Sequence, residues 1–129
     1  HKLAIGYTGY FNKKYERVGG LFQGTFKAVE VRNDDQLLYL LAYINVINPG
    51  QELEPELKSV AEDPTEILQF AAHYPWSTHQ EYLGVRESII IDKGIAGNLF
   101  VKSQQYKEFT DNIIQGRQKF ALRSEMLFE

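Results

Sequence analysis

The spacing of apolar positions changes several times along the chain, and each change marks an expected element. Over residues 2–17, Leu3, Tyr7, Tyr10 and Phe11 recur at helical spacing with Lys14 near the same stripe, which predicts a first helix. Gly6 and Gly9 weaken it by about 1 kcal/mol each relative to alanine, and Gly19-Gly20 ends it. Residues 21–31, LFQGTFKAVEV, carry Phe22, Phe26, Val29 and Val31 and predict a strand. Gly24 inside it suggests a bulge or a close backbone approach. Asn33 or Asp34 caps a second helix, which runs through QLLYLLAYINVI and stops before Pro49-Gly50. Leu37, Leu40, Leu41, Ile44 and Ile47 form its apolar stripe, with Tyr39, Tyr43 and Val46 on a second stripe beside it.

Residues 51–62 are an acidic connection with room for one helical turn. Asp63-Pro64-Thr65-Glu66 is a start signal, with a cap, a proline at the first helical position and a glutamate in capping-box position. The helix it opens runs to about Ala72. Ser77 caps a short helix ending at Gly84, and Ser88–Asp92 form a brief extended piece. Ser103 opens a helix with Tyr106, Phe109, Ile113 and Ile114 inward, closing at Gly116. The last dozen residues read as an uncertain tail, open to a helix. A lone strand leaves backbone groups unpaired on both edges, so residues 21–31 are expected to pair with a missing strand or with a second copy of the chain.

At 129 residues, one domain is the default expectation, with 43% apolar and 24% charged residues, an ordinary globular balance. No apolar run reaches the roughly 18 to 20 residues that span a bilayer. The chain has no cysteine, which excludes disulfides and thiolate metal sites; the expected location is the cytoplasm. The net charge of −3 conceals a strong asymmetry. Residues 1–32 hold six cations against two carboxylates, residues 33–83 one cation against nine, and the remainder is near balance. The basic segment interleaves its cations with Tyr7, Tyr10, Phe11, Tyr15, Phe22 and Phe26. That pattern suits a single-strand nucleic-acid surface, with cations on phosphates and rings on bases. It also suits an amphipathic helix with core aromatics and solvated lysines.

Tyr10-Phe11-Asn12, Lys13-Lys14, Arg17, Gly19, Leu21-Phe22-Gln23-Gly24 and Phe26-Lys27 fall in one ordered run. Tyr43-Ile44 leads into Asn48-Pro49, and Tyr74-Pro75-Trp76-Ser77 is followed by Glu81-Tyr82-Leu83-Gly84. These three blocks, over roughly residues 1–84, resemble REP-associated tyrosine transposases, of the superfamily named for its His–hydrophobic–His motif. The resemblance implies a fragment of a ferredoxin-like, antiparallel-sheet transposase domain: α+β in class and mainly helical as it stands. Residues 1–50 would carry the DNA-contacting signature and nucleophile helix, and 51–129 the acidic connection and carboxy-terminal helices.

It also implies a chemistry: tyrosine attack on single-stranded or hairpin DNA, leaving a 5′-phosphotyrosine and a free 3′-hydroxyl. The implied cofactor is magnesium or manganese in the intact enzyme, and none for this chain alone. Tyr43 falls on the nucleophile, and Lys13, Lys14, Arg17, Gln23 and Lys27 on the DNA-binding signature. Tyr39, one turn earlier, is the competing tyrosine. Asn48 is the implied metal ligand, although the family places its asparagine four residues after the tyrosine rather than five. On a regular helix five residues turn a side chain about 140° away, while the adjoining Pro49 loosens that phase. Asn45 is a weaker candidate. His1, His73 and His79 include no pair one residue apart, so the histidine motif is expected upstream. His73 and His79 read as surface or packing residues, and Glu52, Glu54 and Glu56 as a solvated acidic run. The rival readings are a decayed, non-catalytic DNA-binding remnant and a helical protein-interaction domain.

Overall fold

The computed structural model describes residues 2–24, 26–58 and 60–116; the expected tail lies outside the described residues. The chain divides into two compact units, His1–Glu30 and Val31–Glu129.

The first unit is built on α1, Lys2–Lys14, none of whose residues is buried. Its end is closed by an amide of Arg17 that donates to the carbonyl of Asn12 at 2.9 Å. Between them Glu16 takes the left-handed conformation at φ 51°, so a six-residue loop caps the last turn in the position where glycine is the usual choice. Residues 26–32, inside the expected strand and just after it, carry no ladder.

That overturns the expected fold class. Among the described residues there is no strand, only one isolated antiparallel bridge between Val60 and Gln115. The architecture is helical and not a ferredoxin-like antiparallel sheet. The physical reason is that strand propensity measures fit to a pleated, half-buried surface. Phe26 is 90% exposed, and Val29 and Val31 are also exposed, so nothing in this unit offers that surface. Ser88–Asp92, expected to be extended, instead turn on an Ile91 amide bonded to the Ser88 carbonyl.

The second unit holds α2 (Asp34–Ala42), a wide π-type turn (Tyr43–Ile47), α3 (Asn48–Gly50), α4 (Pro64–His73), α5 (His79–Leu83), α6 (Gly94–Gly97) and α7 (Ser103–Ile114). Local chemistry fixes the ends as expected. Asn33 caps α2 by accepting from the Gln36 amide at 2.8 Å, and one oxygen of Asp63 accepts from the Thr65 and Glu66 amides ahead of α4. Gly84 ends α5 with φ 74°.

The second helix departs from expectation twice. It does not stop before Pro49: helical backbone continues to Gly50. Nor does its expected stripe hold. Tyr39, Ala42, Val46 and Ile47 are buried in the core, while Ile44 is 55% exposed. The wide turn explains the first and the phase beyond Tyr43, whereas Tyr39 and Ala42 are already buried ahead of it. Its closing bond runs from the Asn48 amide to the Tyr43 carbonyl, five residues back, where an α-helix reaches back four. One residue is thereby absorbed, and a 3.6-residue period read through it loses phase. Pro49 supplies a cause, since it has no amide to offer the carbonyl of Asn45 and its ring crowds that carbonyl in a regular helix.

Around this helix, Leu57, Ile67, Ala71, Tyr106, Ile113 and Ile114 complete the core. Gly50 allows the closest approach: a Cβ there would stand 2.7 Å from Leu57 Cδ2 and 2.9 Å from Ile67 Cγ2. No helix among the described residues is long and apolar enough to cross a membrane.

Candidate functional site

The sequence-expected residues fall into two groups, one in each unit. In the first unit Lys13, Lys14, Arg17, Gln23 and Lys27 are all exposed. Three of them gather at the end of α1, where their charge is favourable against the helix dipole. The Arg17 guanidinium lies 5.6 Å from the centre of the Phe11 ring, and Lys14 Nζ lies 5.3 Å from the Tyr15 ring and 5.9 Å from the Tyr10 ring. Phe11 and Tyr15 are themselves 4.5 Å apart. The loop between is drawn in by Asn12, whose amide donates to the Gly19 carbonyl at 2.8 Å. Its Oδ1 is buried with no hydrogen-bond partner. Gln23 stands elsewhere, on the wall of an apolar groove of about 690 Å³ with Leu3, Ile5, Phe22 and Phe26. Lys27 lies exposed in the irregular segment after it. Lysines and an arginine set among exposed rings can hold phosphates and stack bases together.

In the second unit Tyr43 begins the wide turn. It is half-buried and packs against the core, with its ring 6.2 Å from that of Tyr39. Tyr39 is buried; burial first, and the neighbouring Tyr43 second, push its phenol above the ordinary value. A nucleophile needs access, so Tyr43 is the better placed of the two. The geometry also revises the relation of Asn48 to Tyr43. Because the Asn48 amide closes the turn on the Tyr43 carbonyl, Asn48 stands where the fourth residue of an α-helix would stand, one turn above Tyr43. Asn48 is exposed.

Asn45 is withdrawn as a metal ligand because its amide is spent in the core. Its Oδ1 accepts from the Thr78 amide and hydroxyl, and its Nδ2 donates to the Tyr106 hydroxyl. Tyr106 in turn lies 2.8 Å from His79 Nδ1. Burial lowers the His79 pKa to about 4, so its ring is neutral near pH 7, and the direction of its bond with the Tyr106 hydroxyl follows the tautomer. Burial also pushes the Tyr106 phenol up. This polar core was not legible in the sequence, because its members are 33 and 27 positions apart and no local pattern joins them. His73 is exposed, with Nδ1 against the Gln69 carbonyl.

A second arrangement missed in the sequence surrounds Trp76. Arg86 binds both oxygens of the buried Glu81, at 2.6 and 2.8 Å, and also the carbonyls of Pro75 and Ser77. The guanidinium grips the backbone on either side of Trp76, which is 85% exposed. Arg86 holds the Glu81 carboxyl below its usual range.

A divalent ion fits poorly. Among the described residues no three His, Cys, Asp or Glu side chains converge, and Asn48 offers one neutral amide oxygen. Magnesium asks for six oxygens in near-octahedral array, with carboxylates among them. The chemistry left to the described residues is therefore that of a tyrosine and a cation–aromatic surface. No family model, curated protein or solved structure matches the chain.

Proposed function

We propose that this chain is part of a transposase that cleaves and rejoins single-stranded DNA through a 5′-phosphotyrosine intermediate, with Tyr43 as nucleophile. The observation that carries the reading is the wide turn, which absorbs the extra residue between Tyr43 and Asn48. The spacing that departs from the family in sequence thus agrees with it in register. In the reaction the Tyr43 oxygen forms a bond to a backbone phosphorus and loses its proton. The bond from phosphorus to the 3′-oxygen breaks, and that oxygen takes up a proton. Lys13, Lys14, Arg17 and Lys27 contribute phosphate contacts and the rings beside them contribute stacking, while Gln23 offers hydrogen bonds to base or backbone. Asn48 is the one metal ligand that the family resemblance implies on this chain, and a single neutral amide oxygen does not hold a divalent ion. The expected setting is the cytoplasm.

A second reading, a DNA-binding remnant that does not cut, is favoured by the poor fit to a divalent ion. A denaturing-gel assay with a hairpin oligonucleotide separates the two. The chain as it stands should form no covalent adduct. With a His–hydrophobic–His segment supplied, adduct should form and be abolished by Tyr43→Phe, which keeps the ring and its packing. Adduct that survives Tyr43→Phe but not Tyr39→Phe would show Tyr39 to be the nucleophile instead. Lys14→Ala and Arg17→Ala should each weaken binding for all sequences and lower the salt slope by roughly 1; unchanged slopes would remove this surface from the DNA contact.

A further inference from the structure

We propose that Asn45 is a positioning residue: by tying the wide turn to α5 and α7 it fixes the register that sets Asn48 one turn above Tyr43. The role rests on the transposase reading for its functional meaning, while the geometry stands without it.

Asn45 is 0% exposed, and a primary amide taken wholly out of water must be hydrogen-bonded to be tolerated. Its partners all come from distant chain. Oδ1 accepts from the Thr78 amide at 3.1 Å and from the Thr78 hydroxyl at 3.0 Å, and Nδ2 donates to the Tyr106 hydroxyl at 3.2 Å. The Tyr106 hydroxyl is in turn hydrogen-bonded to His79 Nδ1 at 2.8 Å. These bonds join Asn45, Thr78, Tyr106 and His79 as one set.

An α-helical path through residues 43–47 would carry Asn45 out of that set. Successive residues of an α-helix turn by about 100°, and a slip of one position would leave the Asn45 amide buried without the Thr78 and Tyr106 partners it has here. Leaving buried polar groups unmade is costly, whereas a single wide turn within a helix is a tolerated local defect. The main chain of the same residue leans the same way, because Pro49 has no amide for the Asn45 carbonyl. Side chain and backbone of Asn45 therefore both hold the turn open, and Asn48 is kept over Tyr43 by a residue that touches neither DNA nor the reacting phosphate.

The test reads the turn itself. In the full chain, uniformly labelled with 13C and 15N, scalar coupling across the hydrogen bond should link the Asn48 amide nitrogen to the Tyr43 carbonyl carbon. In Asn45→Ala that correlation should be lost and one to the Ile44 carbonyl, the α-helical partner, should replace it. Tyr106→Phe, which removes only the hydroxyl, should shift part of the population the same way, and it decides the matter if Asn45→Ala does not fold. Coupling that stays on Tyr43 in the folded variants overturns the proposal, since Pro49 alone would then hold the turn. So does coupling to Ile44 in the unsubstituted chain. In the adduct assay with the His–hydrophobic–His segment supplied to every chain, Asn45→Ala should lower adduct formation at least tenfold without changing DNA affinity. If the correlation moves while no chain forms adduct, the positioning stands and the transposase reading falls.

Discussion

At the scale of single residues, His79 makes the clearest claim. Its pKa is about 4 in the folded chain against 6.5 as the ordinary value. Between those values the unfolded chain binds a proton that the folded chain refuses. The stability tied to its neutral ring is complete above pH 6.5, falls as pH drops toward 4 and changes no further below that. The amount is roughly 3 kcal/mol at 1.36 kcal/mol for each pH unit. Tyr106 faces the ring, with Tyr82 packed on Tyr106, and both phenols are pushed up and stay protonated through this window. Urea unfolding at pH 7 and pH 4.5 should show a loss that His79→Gln largely removes; equal losses in both chains would refute it. Gly50 makes a claim of a different kind. A methyl group there meets Leu57 and Ile67 inside contact distance, so Gly50→Ala should cost about 1–3 kcal/mol by overpacking, whereas Gly9→Ala, with nothing within 4 Å, should raise helix content. Neither fact could be read in the sequence. His79 looks there like any histidine near a helix start, and Gly50 like the glycine that ends a helix after proline.

Elements were legible wherever a side chain caps its own helix. Asn33, Asp63 and Gly84 mark ends that the structure keeps, because capping is settled within three or four residues. A strand was wrongly expected over residues 21–31, because pairing depends on a partner that local sequence does not contain. The helix around Tyr43 lies between these cases: its existence is plain from periodicity, but its phase is set from outside, by Asn45 and Pro49. Its slack residue can be sought by deletion. Removing Ile44, exposed at the turn, should leave Asn48 four residues from Tyr43 and cost less stability than a deletion from the regular part of the helix. Removing Leu40 from the regular part of α2 should rotate Tyr39 about 100° relative to the rest of the helix and abolish cooperative unfolding. Thermal melts of both chains check this. If the Ile44 deletion melts like the Leu40 deletion, the turn does not hold an absorbed residue.

At the scale of the whole molecule, charge and core are divided unequally. The cation–aromatic signature occupies a unit of about thirty residues whose helix buries nothing. Below about 40 residues a chain seldom supports itself without help from a metal, a disulfide or a partner. The exposed Phe26, Val29 and Val31 suit a second copy of the chain, and light scattering at high micromolar concentration should report a homodimer; a monomer mass there would reject it. The division into units was not readable in the sequence, because it depends on which residues find a core. The clamp at Trp76 carries a practical consequence. It is the only tryptophan in the chain, and the folded protein already holds its indole in water. Its emission should therefore begin close to the red-shifted position of a denatured chain and move little on unfolding. Fluorescence would report a protein that never melts while its ellipticity was collapsing, and quenching by iodide would be nearly as efficient before denaturation as after it.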